Sequence, residues 1–111
     1  MILKDESVRM VDMHPKMVEG AFLVDNYLRE QLGYEPVITS ANDGRHKRGS
    51  AHYRGCALDY RTWTTATSGH QLPHGKRQTI TYGLKLILGQ NFDVIGEDDH
   101  IHCEYDPKTP T

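Results

Sequence analysis

Long apolar runs are missing from this 111-residue chain, and so is any excess of basic charge. No stretch is apolar for long enough to span a bilayer, so a membrane-spanning segment is not expected. The first residues, Met1-Ile2-Leu3-Lys4-Asp5-Glu6-Ser7, mix charges early and hold no apolar stretch of the signal-peptide kind. Synthesis and folding in the cytoplasm are therefore expected, with the place of action left open. Thirteen Lys and Arg stand against fifteen Asp and Glu, a formal charge of -2 with histidine neutral. That removes the general case for a nucleic-acid partner, because a basic footprint is lacking. The local cluster Arg45-His46-Lys47-Arg48 reads as a solvated loop. Cysteine is scarce too. Cys56 and Cys103 are the two, and without a secretion signal they read as free thiols rather than a bridge.

What remains fits a soluble globular protein: 37% hydrophobic and 25% charged residues in a length suited to one domain. No internal repeat, low-complexity segment or second domain is visible. The expected domain spans 1–111, with 1–13 as an N-terminal arm or short helix and 107–111 as a flexible tail. A monomer is expected. Seven histidines are many for this length, and their positions carry the argument below.

His14-Pro15 reads as a helix start, because proline at the first turn loses no hydrogen bond. Met17, Ala21, Val24 and Leu28 follow at helical spacing, and Gly33 is a natural stop. Val37-Ile38-Thr39 reads as a short strand, followed by a turn at Ser40–Gly44 and a polar loop to Ser50. Cys56–Arg61 reads as a second strand. The Thr-, Ser-, Gly- and Pro-rich stretch Thr62–His74 reads as a loop. A second helix is expected over about 75–89, with Ile80, Leu84 and Ile87 on its buried face. Phe92–Ile95 and His100–Tyr105 read as a hairpin around the turn Gly96–Asp99. This order predicts a single α+β domain, a small antiparallel sheet with helices packed on one face.

Alternation along the last strand places His100, His102 and Glu104 on one face and Ile101, Cys103 and Tyr105 on the other. The second face belongs in a core. Two imidazoles and a carboxylate suit a cleft. In the second strand Ala57, Asp59 and Arg61 share a face, opposite Cys56, Leu58 and Tyr60. An acid inside an apolar strand needs a partner, and a metal or a histidine would satisfy Asp59. His52 lies seven residues earlier, at the mouth of the same strand. Two histidines and a carboxylate form a common catalytic zinc set that leaves a fourth position for water. A base must then move protons, and Asp99 and His100 are the candidates beside His102. By the same alternation Cys56 and Cys103 face the core. His14, His70 and His74 fall outside these segments and read as surface residues.

The segment Ser50-Ala51-His52-Tyr53-Arg54-Gly55-Cys56-Ala57-Leu58-Asp59 has the pattern S-x-H-x-x-G-x-A-x-D, and His100-Ile101-His102 supplies H-x-H on a closing strand. Together they resemble the LAS-type zinc peptidases. These include the D-alanyl-D-alanine carboxypeptidases, the D,D-dipeptidases of vancomycin resistance and the L-alanyl-D-glutamate peptidases of phage endolysins. The Hedgehog signalling domain shares that zinc fold. The resemblance covers about residues 36–106. It implies a Hedgehog/DD-peptidase-like fold and zinc bound by His52, Asp59 and His102, the last followed by the family's H-x-E continuation at Glu104. It implies an acidic general base three residues before the last ligand, here Asp99, with His100 placed to help catalysis; Asp in place of Glu shortens the reach, so the base stays open between the two. Glu97 has the base's spacing only if His100 is the ligand. It also implies a basic residue before the first ligand that holds a substrate carboxylate. Arg45 and Arg48 are the candidates in that segment, with Lys47 and His46 beside them. Ser50 supports the loop by hydrogen bonding, and Gly55 allows a tight turn.

The function expected from this is hydrolysis of a peptide bond in peptidoglycan stem peptides, of D,D- or L,D-type. The protein would be a phage or prophage endolysin-like enzyme, released by a holin or carried on a virion to act on the cell wall. The alternative is a non-catalytic zinc-fold binding module or a phage structural module.

Overall fold

Residue choice at its two ends explains the first helix, α1 (Pro15–Leu32). Pro15 opens it, and the His14 side chain accepts a hydrogen bond from the Lys16 N–H at 3.0 Å. Gly33 closes it in the left-handed region, φ 69°, with its N–H donating to the Arg29 carbonyl. Met17, Ala21, Val24 and Leu28 are all buried, as their spacing requires. Arg29 then pairs with Asp25 one turn back and with Glu35 beyond the helix end, at 2.6 and 2.9 Å. The guanidinium holds the Glu35 carboxyl well below the usual carboxylate range. This clamp fixes how the chain leaves the helix for the sheet.

The computed structural model describes residues 2–10, 12–33, 35–41, 55–63 and 69–107. After α1 come β2 (Val37–Ser40), β3 (Ala57–Arg61), α2 (His74–Leu88), β4 (Phe92–Gly96) and β5 (His100–Tyr105), with β1 (Ile2–Leu3) ahead of them all. The architecture is α+β, and the five strands run in the order β1-β2-β3-β5-β4. Four strands form the expected antiparallel arrangement. The departure is β1, which pairs parallel to β2 and makes the sheet mixed. An arm or short helix was expected there. Backbone bonds hold the strand, Ile2 N–H to the Pro36 carbonyl and Lys4 N–H to the Ile38 carbonyl. Both its side chains are exposed, so no burial pattern marks it in the sequence. No helix among the described residues is long and apolar enough to cross a membrane.

Both helices lie on one face of the sheet. Their buried residues share a core with Ile38, Leu58, Tyr60, Val94, Ile101 and Cys103. Each fully buried Leu or Ile in it contributes roughly 1.5–3 kcal/mol. On α2 the buried positions are Ile80, Thr81 and Leu84. Ile87, expected inside, is 42% exposed. Leu88 packs against the core in its place, which rotates the stripe's centre towards Leu84 and Leu88 and leaves Ile87 on its rim. Thr81 tolerates burial because its hydroxyl donates to the Arg77 carbonyl at 2.8 Å. Cys103 is fully buried and Cys56 half-buried, both as free thiols. Burial pushes the Cys103 thiol well up.

Candidate functional site

The opposite face of the sheet carries the polar row. The β3–β5 register sets Ala57 opposite Glu104, Asp59 opposite His102 and Arg61 opposite His100. Side chains directly opposite on antiparallel strands have Cβ atoms about 4.5–5.5 Å apart, within reach of one another. Asp59 and His102 therefore meet. The His102 Nδ1–H donates to Asp59 Oδ1 at 2.8 Å, and its Nε2–H donates to Glu104 Oε1 at 2.9 Å. His102 and Asp59 are 17% and 15% exposed, so water screens the pair weakly. His100 sits one step along the face. Its Nδ1–H donates to Asp99 Oδ1 at 2.6 Å, and its Nε2 lies 3.9 Å from Asp59 Oδ1.

The structure thus brings together Asp59, His102, His100 and Asp99. The remaining sequence-derived site residues, His52, Arg45, Arg48 and Ser50, lie outside the described residues, as do Lys47 and His46. His14 is exposed, caps α1, and stacks on Tyr105 at 4.9 Å between ring centroids. His70 and His74 are exposed.

Among the described residues this pair supplies two donors of the types that zinc takes, a carboxylate oxygen and an imidazole nitrogen. Asp59 offers a carboxylate oxygen and His102 a ring nitrogen on two neighbouring strands. Metal-binding histidines almost always donate their other ring N–H to a carboxylate or carbonyl, which fixes the ring and its tautomer. Glu104 stands in that place at His102 Nε2. His100 also has a carboxylate at one ring nitrogen, but its partner is the exposed neighbour Asp99 rather than a residue of the sheet face. A second cluster shares Glu104. Asp93, Glu104 and Asp106 have carboxylate oxygens within 4.8 Å of one another. This all-oxygen set offers a possible metal site of a harder kind. Among the described residues it is the one group of three ligand-type side chains that converges this closely.

In the metal-free chain, the hydrogen bond to Asp59, with help from Glu104 and against the cost of burial, raises the His102 pKa from 6.5 to about 9. The imidazolium is then the folded form at neutral pH. Its contribution to stability is complete below about pH 6.5, the unfolded value, and is lost as pH rises through about 9. The difference corresponds to a ceiling of about 3 kcal/mol. Urea denaturation of chelator-treated protein is expected to show stability falling between those two pH values, and Asp59→Asn to flatten the fall. An unchanged midpoint across that window excludes the coupling.

Two features were not recognised as site elements from the sequence. One is the tie between Glu104 and His102, although the H-x-E spacing carried its signal. The other is the pairing of Arg61 with Trp63, for which strand parity already put Arg61 beside Asp59. No family model matches the chain, and neither the curated proteins nor the solved structures hold a significant match to it.

Proposed function

We propose that this chain is a zinc-dependent peptidase, with Asp59 and His102 as two ligands and His52 as the third. The observation that carries the reading is the Asp59–His102–Glu104 alignment. A carboxylate and an imidazole face each other at 2.8 Å, with the ring's far nitrogen held by a second carboxylate. Zinc, when bound, supplies Lewis acidity for a scissile carbonyl and lowers the pKa of water.

The chain's own residues supply the proton chemistry. Asp99 accepts the Nδ1–H of His100, which leaves Nε2 to take up a proton, 3.9 Å from Asp59. In this reading His100 is the base and Asp99 orients it. That divides between the two residues a role the sequence left open. The substrate class, a peptide bond in peptidoglycan stem peptides, rests on the S-x-H-x-x-G-x-A-x-D and H-x-H motifs. Delivery to the wall by a holin or on a virion belongs to the same proposal.

The test is digestion of purified muropeptides by the zinc-loaded chain, read by mass spectrometry. One specific stem-peptide bond is expected to be cut. His100→Ala is expected to lower the rate about 10²-fold with zinc still bound, and Asp99→Asn by less. Stoichiometric zinc without any cleavage would instead support the second reading, a non-catalytic zinc-fold module.

A further inference from the structure

A cavity of about 340 Å³ opens beside the candidate site and includes Asp59, Asp99, His100, Arg61, Trp63 and Lys4 in its lining. Arg61 is its unusual member. The guanidinium lies over the Trp63 ring, 4.1 Å from its centroid. Its Nε is buried with no hydrogen-bond partner. Among the described residues nothing accepts from the rest of the group, although two carboxylates share the cavity. A guanidinium presents five donors in a fixed fork and stays charged at all working pH values. Half-buried polar groups of this kind normally have partners. Stacking on Trp63 holds the fork in place without using any of its donors. Lys4 adds a second positive charge to the lining, brought there by the pairing of β1 with β2.

We propose that Arg61, braced on Trp63, receives a carboxylate of the peptide substrate. The role expected of a basic residue in the 45–48 segment thus gains a candidate on β3. Arg61 is two residues along the strand from Asp59, so the two side chains are about 7 Å apart on the same face. An extended substrate spans that distance in about two residues. The site therefore selects peptides whose scissile bond lies within about two residues of a carboxylate. Either the C-terminal group or an acidic side chain has the required chemistry. The proposal rests on the peptidase reading for its geometry, and its test does not depend on cleavage.

Trp63 is the chain's one tryptophan, so its fluorescence reports directly on the group stacked against it. The full chain, with and without zinc, is titrated with N-acetyl-D-alanyl-D-alanine, with the C-terminal amide of that dipeptide, and with an L-alanyl-D-glutamate α-amide whose one carboxylate is in the side chain. Saturable change is expected with at least one acid and not with the dipeptide amide; which acid binds identifies the source of the carboxylate. Arg61→Gln is expected to weaken binding about tenfold or more, and Arg61→Lys to restore part of it. Circular dichroism confirms that both variants fold. The proposal is overturned if amide and acid bind alike, if no acid binds, or if a folded Arg61→Gln binds as the parent does. Acid binding through Arg61 without any muropeptide cleavage would sink the peptidase reading and leave the carboxylate site standing.

Discussion

Alanine in place of His102 is expected to leave a folded chain that no longer retains stoichiometric zinc and cleaves muropeptides about 10³-fold more slowly. The size follows from the chemistry removed, since a Lewis acid contributes several kcal/mol of charge stabilisation and each 1.36 kcal/mol is tenfold in rate. The fold should tolerate the change. His102 lies on the polar face, while the core side of β5 is Ile101 and Cys103. Elemental analysis and muropeptide digestion check the two halves together. Glu104→Gln separates ligation from orientation. It keeps the shape but weakens the hold on His102 Nε2, and zinc affinity is expected to fall about 10- to 100-fold. Full zinc occupancy in His102→Ala would remove His102 from the ligand set.

Gly55→Ala is expected to produce the second large effect, on stability rather than on chemistry alone. Gly55 has φ 70° just before β3, and a Cβ there would run into the backbone of Asp12 and Met13. Its carbonyl also accepts from the His14 N–H at 2.9 Å, at the start of α1. Neither side of this contact is a flexible side-chain end, so the backbone itself must move. The left-handed conformation costs about 1–2 kcal/mol for a residue with a Cβ, and displacement adds to it, for a total of about 2–4 kcal/mol. Thermal unfolding should shift down by about 10 °C or more. Because Asp59 follows on the same strand, zinc affinity is expected to fall with it. A melting point within about 2 °C of the parent would show that the turn relaxes freely.

The two predictions differ in how far the sequence alone reveals their basis. The polar row was legible because period-two alternation is a strong signal on short strands between apolar neighbours. Asp59 and His102 follow from it without knowledge of register. Helix α1 was equally legible, with Pro15 and Gly33 at its ends and four buried residues at helical spacing. The two strands were expected side by side, but the register of β3 on β5 was not legible, since α2 and β4 separate them in sequence and contacts between distant segments leave no local trace. Strand β1 was missed because two exposed residues carry no pattern. Lys4 therefore had no visible route to the cleft. Ile87 misled because an apolar residue at helical spacing from Ile80 reads as buried, whereas the last turn of α2 packs through Leu88. Arg61 shows the reverse situation. Its parity was plain, and only the stacking on Trp63 and the missing acceptor reveal what the position offers.

The central placement of β3 and β5 has a consequence for ion choice. Each is hydrogen-bonded to a neighbour on both sides, β3 to β2 and β5, and β5 to β3 and β4. Neither can slide or spread without breaking two ladders at once. Under the proposed zinc reading, the backbone span between Asp59 and His102 would thus be set by the sheet and not by the ion. A frame of that kind discriminates by size and coordination number. It suits a small ion content with few ligands, and it penalises a large one such as calcium, which requires six to eight oxygens and a cage that gives way around it.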